Sequence, residues 1–63
     1  MNPGDWIKIK NGAWTNHIGR IASIHNNYCQ IYLKRWPGQT LAFLPMEFTQ
    51  ISELEAMIYL LEN

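Results

Sequence analysis

Cys29, His25 and His17 are the residues to consider first for chemistry, because thiolate and imidazole are common nucleophiles and metal ligands and His25 precedes Cys29 by four positions. A structural zinc site needs four such ligands in recognised clusters. This chain offers three, spread over a loop, a hairpin end and a strand. Cys29 shares the parity of Ile31 and Leu33 in "CQIYL", which predicts a buried thiol rather than a reactive one. The carboxylates are no better placed for paired acid–base work. Asp5 opens a strand, Glu47 sits in a turn, and Glu53, Glu55 and Glu62 gather in the last twelve positions. No nucleophile, base and orienting group come together, so the sequence predicts no enzyme, no metal site and no other cofactor.

The remaining candidates are aromatic and basic. "WTNHIGR" supplies Trp14, Asn16, His17 and Arg20, and "YLKRW" supplies Tyr32, Lys34, Arg35 and Trp36. Tryptophan, tyrosine and arginine are the residue types most enriched in binding hot spots, and these eight positions form the predicted partner-binding set. For Trp14 and Trp36, contact with a partner and packing within their own loops are both sufficient accounts. Trp6 is expected to pack against a helix or a barrel edge.

Charge divides along the chain. Residues 1–51 hold Lys8, Lys10, Arg20, Lys34 and Arg35 against Asp5 and Glu47, giving +3, whereas residues 52–63 carry three glutamates and no base, giving −3. A basic body steers towards acidic partners, but three net charges are few for a protein that must neutralise many phosphates. The longest apolar run, "AMIYLL", falls far short of the roughly 20 residues of a membrane span, and "MNPGDW" lacks the order of a signal peptide. With a single cysteine, which fits a reducing compartment, the expectation is a cytoplasmic protein that does not insert into membranes.

The elements that must position these residues are short. A chain of 63 residues makes one domain that buries only about 60% of its unfolded surface. "DWIKIK" alternates with period two, placing Ile7 and Ile9 on one face. "NGAWTN" is a curled loop, after which Ile18, Ile21 and Ile24 recur at a spacing of three. That spacing, with Gly19 and β-branched residues, predicts a strand carrying a bulge near Ala22 or Ser23. Asn26 and Asn27 are expected at the tip of a type I′ hairpin. A third strand follows over "YCQIYLK", a Pro-Gly turn over "RWPGQ", a fourth strand over "TLAFL", then one helical turn and a closing strand at Thr49–Ile51. "SELE" has capping-box spacing and starts a helix whose apolar stripe is predicted to be Leu54, Met57, Ile58 and Leu61. Tyr59 and Leu60 are then surplus to the stripe: at least one of them is predicted to lie in an apolar patch that serves a homodimer or a partner helix, the alternative being that Tyr59 lies along the barrel with its hydroxyl in water. The fold class is mainly β: a five-stranded SH3-like barrel over residues 1–51 with a C-terminal α-helix over residues 52–63.

Two families are similar. "IKIKNGAWTNHIGRIASI" resembles the KOW motif, with Gly12 and Gly19 at its glycine positions and Asn16 where a glycine is usual. That resemblance implies an SH3-like barrel that binds RNA, ribosomes or transcription complexes. Trp14, Asn16, Ile18, Gly19, Ile21, Ala22, Ser23 and Ile24, with Phe43, Glu47 and Phe48 downstream, are similar in order and spacing to the small stromal barrel of photosystem I that helps ferredoxin dock, and to its relatives. Those cofactor-free barrels receive acidic ferredoxin through basic residues, which implies a photosynthesis-related docking role. The expected function is a non-catalytic interaction module for an acidic protein, with RNA as the alternative ligand.

Overall fold

The period-two segments fold into one antiparallel sheet in the computed structural model, which describes residues 1–62; Asn63, the end of the predicted helix segment, lies outside the described residues. The elements are β1 (Trp6–Ile9), β2 (Ile18–Ile24), β3 (Cys29–Leu33), β4 (Thr40–Phe43), a 3₁₀ turn (Pro45–Glu47), β5 (Phe48–Gln50) and α1 (Glu53–Glu62). Their order across the sheet is β4-β3-β2-β1-β5, so β4 and β5 are its two edges. The protein is thus mainly β with one C-terminal helix.

Strand parity decides what each face holds. Ile7, Ile9, Ile21, Cys29, Ile31, Leu33, Phe43 and Phe48 form one buried cluster to which every strand contributes, with Trp14 and Leu41 packed against it. Gly19 faces this cluster between its sheet neighbours Ile7 and Leu33. The opposite face carries Trp6, Lys8, Ile18, Arg20 and Tyr32, as the pairings Trp6 with Arg20, Lys8 with Ile18 and Arg20 with Tyr32 require. Here α1 lies, and Ile18, Ile51 and Ala56 make a second, smaller cluster flanked by Trp6 and Tyr59.

The irregular spacing in β2 has its explanation in these two faces. Its register with β3 slips between Ile21 and Ser23, the bulge that the sequence predicts. Ile18 points to the helix and Ile21 to the main core, so a spacing of three joins two isoleucines that serve different clusters. Ile24, at the strand's far end, is exposed.

Three expectations need correction. The His25–Tyr28 turn is closed by the His25 N–H donating to the Tyr28 carbonyl at 2.9 Å, but Asn16 is the one non-glycine with positive φ among the described residues. A type I′ turn needs positive φ at both Asn26 and Asn27, so this hairpin is of another type. The closing strand starts at Phe48 rather than Thr49, because Phe48 is drawn into the main core directly after the 3₁₀ turn.

The third correction concerns α1. Ser52 caps it, accepting from the Glu55 N–H at 3.0 Å, although the Glu55 carboxylate meets the Ser52 hydroxyl at 3.5 Å rather than the Ser52 backbone. The predicted apolar stripe faces outward: Leu54 is 68% exposed, Met57 52%, Ile58 48% and Leu61 85%. Ala56 is the fully buried helix residue, with Tyr59 and Leu60 half-buried beside it. Only Ile51 and Ser52 join β5 to α1, so the helix has little freedom to rotate once Ile51 is buried and Ser52 caps. The phase so fixed turns small Ala56 onto a sheet face already occupied by Ile18 and Trp6, and a methyl is what fits there.

Candidate functional site

Two loops that the sequence pairs only by composition meet in space. The Trp14 and Trp36 rings lie 5.3 Å apart, edge to face, and His17 packs edge-on against Trp14 at 5.4 Å. Backbone chemistry holds the first loop in place. Asn16 adopts φ 72°, a left-handed conformation that asparagine tolerates, and its N–H donates to the Ile9 carbonyl at 2.8 Å while the Ile9 N–H donates back to the His17 carbonyl at 3.0 Å. The second loop turns at Gly38, whose φ is 86°, and the Trp36 indole donates to the Gln39 side-chain oxygen at 2.8 Å.

Beside this junction lies a cleft of about 290 Å³. Asn16, His17 and Ile18 enter it from the start of β2, Lys34 and Arg35 from the end of β3, and Tyr59 and Leu60 from α1. The Lys34 N–H donates to the Ile18 carbonyl at 2.9 Å, which continues the β2–β3 ladder and ties the two basic positions to the cleft floor. Tyr59 is fixed on its other side by Lys8, whose ammonium donates to the phenol oxygen at 3.0 Å and lies 5.3 Å from the ring centroid.

Lys34 also lines a second depression, of about 260 Å³, together with Trp6, Arg20 and Tyr32. Arg20 is ordered there by two contacts: its guanidinium lies 4.7 Å over the Trp6 ring, and its Nε donates to the Gly4 carbonyl at 3.1 Å. Tyr32 is 51% exposed, and its cross-strand neighbour is Arg20. The two depressions therefore form one strip that presents Arg20, Tyr32, Lys34, Arg35 and His17 from one end of the β2–β3 pair, where β2 begins and β3 finishes, and from the loops beside it.

Six of the eight predicted binding residues line this strip: Asn16, His17, Arg20, Tyr32, Lys34 and Arg35. The two tryptophans line neither depression. Trp14 is half-buried against the main core and Trp36 rests on it, so they join the loops that carry the strip. Tyr59 and Leu60 form a wall of the cleft, with Tyr59 lying along the sheet as the alternative expectation had it. Lys8 escaped notice in the sequence because its partner Tyr59 is 51 positions away and no local spacing links them.

The residues first considered for chemistry lie apart. His17 and His25 flank the two ends of β2, roughly 20 Å along a strand of that length. Cys29 is buried in the main core, and no group of three His, Cys, Asp or Glu among the described residues is arranged to hold a metal ion. Ser23 Oγ and His25 Nε2 lie 3.1 Å apart, a distance at which a base could activate a hydroxyl. The His25 ring, however, stacks on Tyr28 at 4.6 Å, and neither residue lines the cleft or the second depression. No helix among the described residues is long and apolar enough to cross a membrane. No protein-family model matches the chain, and no curated protein matches it in sequence, so its own residues and their geometry carry the functional reading.

Proposed function

We propose that the protein is a non-catalytic interaction module, an SH3-like small barrel that docks an acidic segment of another protein along the basic and aromatic strip. The observation that carries this reading is the convergence of His17, Arg20, Lys34 and Arg35 on two adjoining depressions that share Lys34. Carboxylates arriving on such a strip meet guanidinium and ammonium donors, and Tyr32, Tyr59 and Ile18 supply apolar contact between the charges. The sheet itself is not closed, since β4 and β5 remain its two edges, and what supports barrel character is the main core. Ile7, Ile9 and Ile31 are fully buried although the helix covers the other face, a burial that agrees with a strongly curled sheet. The resemblance to KOW domains and to the ferredoxin-docking barrels agrees with such a fold and with a docking role.

RNA is the second reading, favoured by one observation: exposed Tyr32 sits between Arg20 and Lys34, the arrangement of a stacking platform beside phosphate-binding bases. Tryptophan fluorescence separates the two. An Asp/Glu-rich peptide should bind with an association rate that falls with salt, and Lys34→Glu should slow that association by about tenfold while reducing its salt dependence. Affinity for mixed-sequence RNA tighter than about 1 μM at physiological salt, with none for the acidic peptide, overturns the first reading in favour of the second.

A further inference from the structure

The outward face of α1 is built unlike the strip. Leu54, Met57, Ile58 and Leu61 follow one another at i, i+3, i+4 and i+7, which places all four on one side of the helix, and each is about half exposed or more. Together they make an apolar patch on the order of 500 Å², in the range of the largest patch on a typical monomer, which is often functional. The monomer does not need this face for its own core, since Ala56 and Tyr59 already seat the helix on Ile18, Ile51 and Trp6.

Charge identifies what could cover it. At 100° per residue, Glu53 falls on one flank of the stripe and Glu55 and Glu62 on the other, and the helix contains no base. A second copy of this chain seated helix on helix would oppose these glutamates to three more. The patch is also smaller than the roughly 800 Å² per partner that stable dimers commonly bury. Phosphate backbones and anionic lipid surfaces are repelled by the same acidic rims. We propose that this face docks an amphipathic helix of a partner protein whose apolar stripe is bordered by Lys and Arg. Its apolar side chains interleave with Leu54, Met57, Ile58 and Leu61 while its bases reach the glutamates on both flanks, the helix-to-groove mode read by anchors at i, i+3, i+4 and i+7. This surface is separate from the proposed acidic-partner strip, which uses the inner residues Tyr59 and Leu60 of the same helix.

The test titrates the isotope-labelled protein with a Lys/Leu amphipathic peptide of about five helical turns, alongside a scrambled peptide of the same composition. The amphipathic peptide should bind and shift α1 amide resonances, the scrambled peptide should bind at least about tenfold more weakly, and Leu61→Glu should cost about tenfold in affinity. Leu61 is 85% exposed, so this substitution leaves the fold intact, as an unchanged sheet spectrum would show. Lys34→Glu, which disables the basic strip, should leave peptide binding unchanged, so failure of one docking surface is distinguishable from failure of the other. Equal binding of both peptides, or affinity unaltered by Leu61→Glu, overturns the proposal. So does a wild-type dimer in sedimentation that Leu61→Glu dissolves, which would assign the face to a second copy.

Discussion

Gly19 shows at the scale of one residue why the strip has the shape it has. A Cβ built there would press on the Tyr32 carbonyl oxygen and lie 2.8 Å from Ile31 Cγ2, so β2 and β3 run together with no room for a side chain between them. On the opposite face the register partners Arg20 and Tyr32 line one depression. Gly19→Ala should lower stability by about 2 kcal/mol or more, because the obstructing atoms are backbone and a branched core methyl rather than a flexible side-chain end. Urea denaturation measures this directly, and an unshifted midpoint would mean that the strands part at no cost. Gly19 and Asn16 also explain what the sequence made legible. Both stand in the stretch "NGAWTNHIGR", and both act on the backbone, one by close approach and one by positive φ. Phe43, Phe48 and Glu47 also serve the fold rather than the strip, two filling the core and one accepting from the Leu44 N–H at 2.8 Å to close the 3₁₀ turn. Residues of this kind reveal a fold. For Lys34 and Arg35, by contrast, only their composition beside Trp36 pointed to them.

At the scale of elements, the sheet was legible and the helix only half so. Alternation in β1 and β3, and the spacing of three in β2, follow from local backbone geometry, which a sequence carries within a few residues. Where α1 begins is local too, since Ser52 and Glu55 cap it. Which face it buries is not local. Ranking side chains by size selects Leu54, Met57, Ile58 and Leu61, but the two-residue connection from β5 and the occupied surface of Ile18 and Trp6 select Ala56. The two phases make opposite predictions. Ala56→Leu should destabilise by about 1–3 kcal/mol through overpacking, whereas Leu54→Gln, at a residue 68% exposed, should change stability by no more than about 0.5 kcal/mol. Thermal or urea unfolding of the two variants distinguishes them. A large loss from Leu54→Gln with none from Ala56→Leu would mean that the helix docks through its apolar stripe after all.

The whole molecule is a large core and a small one sharing a single sheet. Its radius of gyration of 10.6 Å is that of a compact domain of 63 residues. A chain of this length has roughly 3–9 kcal/mol of stability, so little remains in reserve once the main core is formed. Eight residues from all five strands hold that core, while α1 is held by Ile18, Ile51 and Ala56 with Trp6 and Tyr59 at the margin. The helix is also only 10 residues long, below the length at which isolated helices persist in water. Its cohesion with the sheet therefore rests on few contacts, and it should open at a lower free energy than the sheet does. Native-state hydrogen exchange reads the difference residue by residue. Amides of Ile21 and Ile31, paired across β2 and β3, should exchange only through global unfolding, and those of Ile58–Leu61 should exchange faster through local opening. Equal protection throughout would show that helix and sheet are one cooperative unit. Because α1 supplies both a wall of the cleft and the acidic-flanked apolar face, a ligand bound at either proposed docking surface would hold it closed. An amphipathic basic peptide should accordingly raise protection in α1 towards that of β2 and β3 and favour the cleft on the helix's inner side, coupling the two docking surfaces through the one element they share.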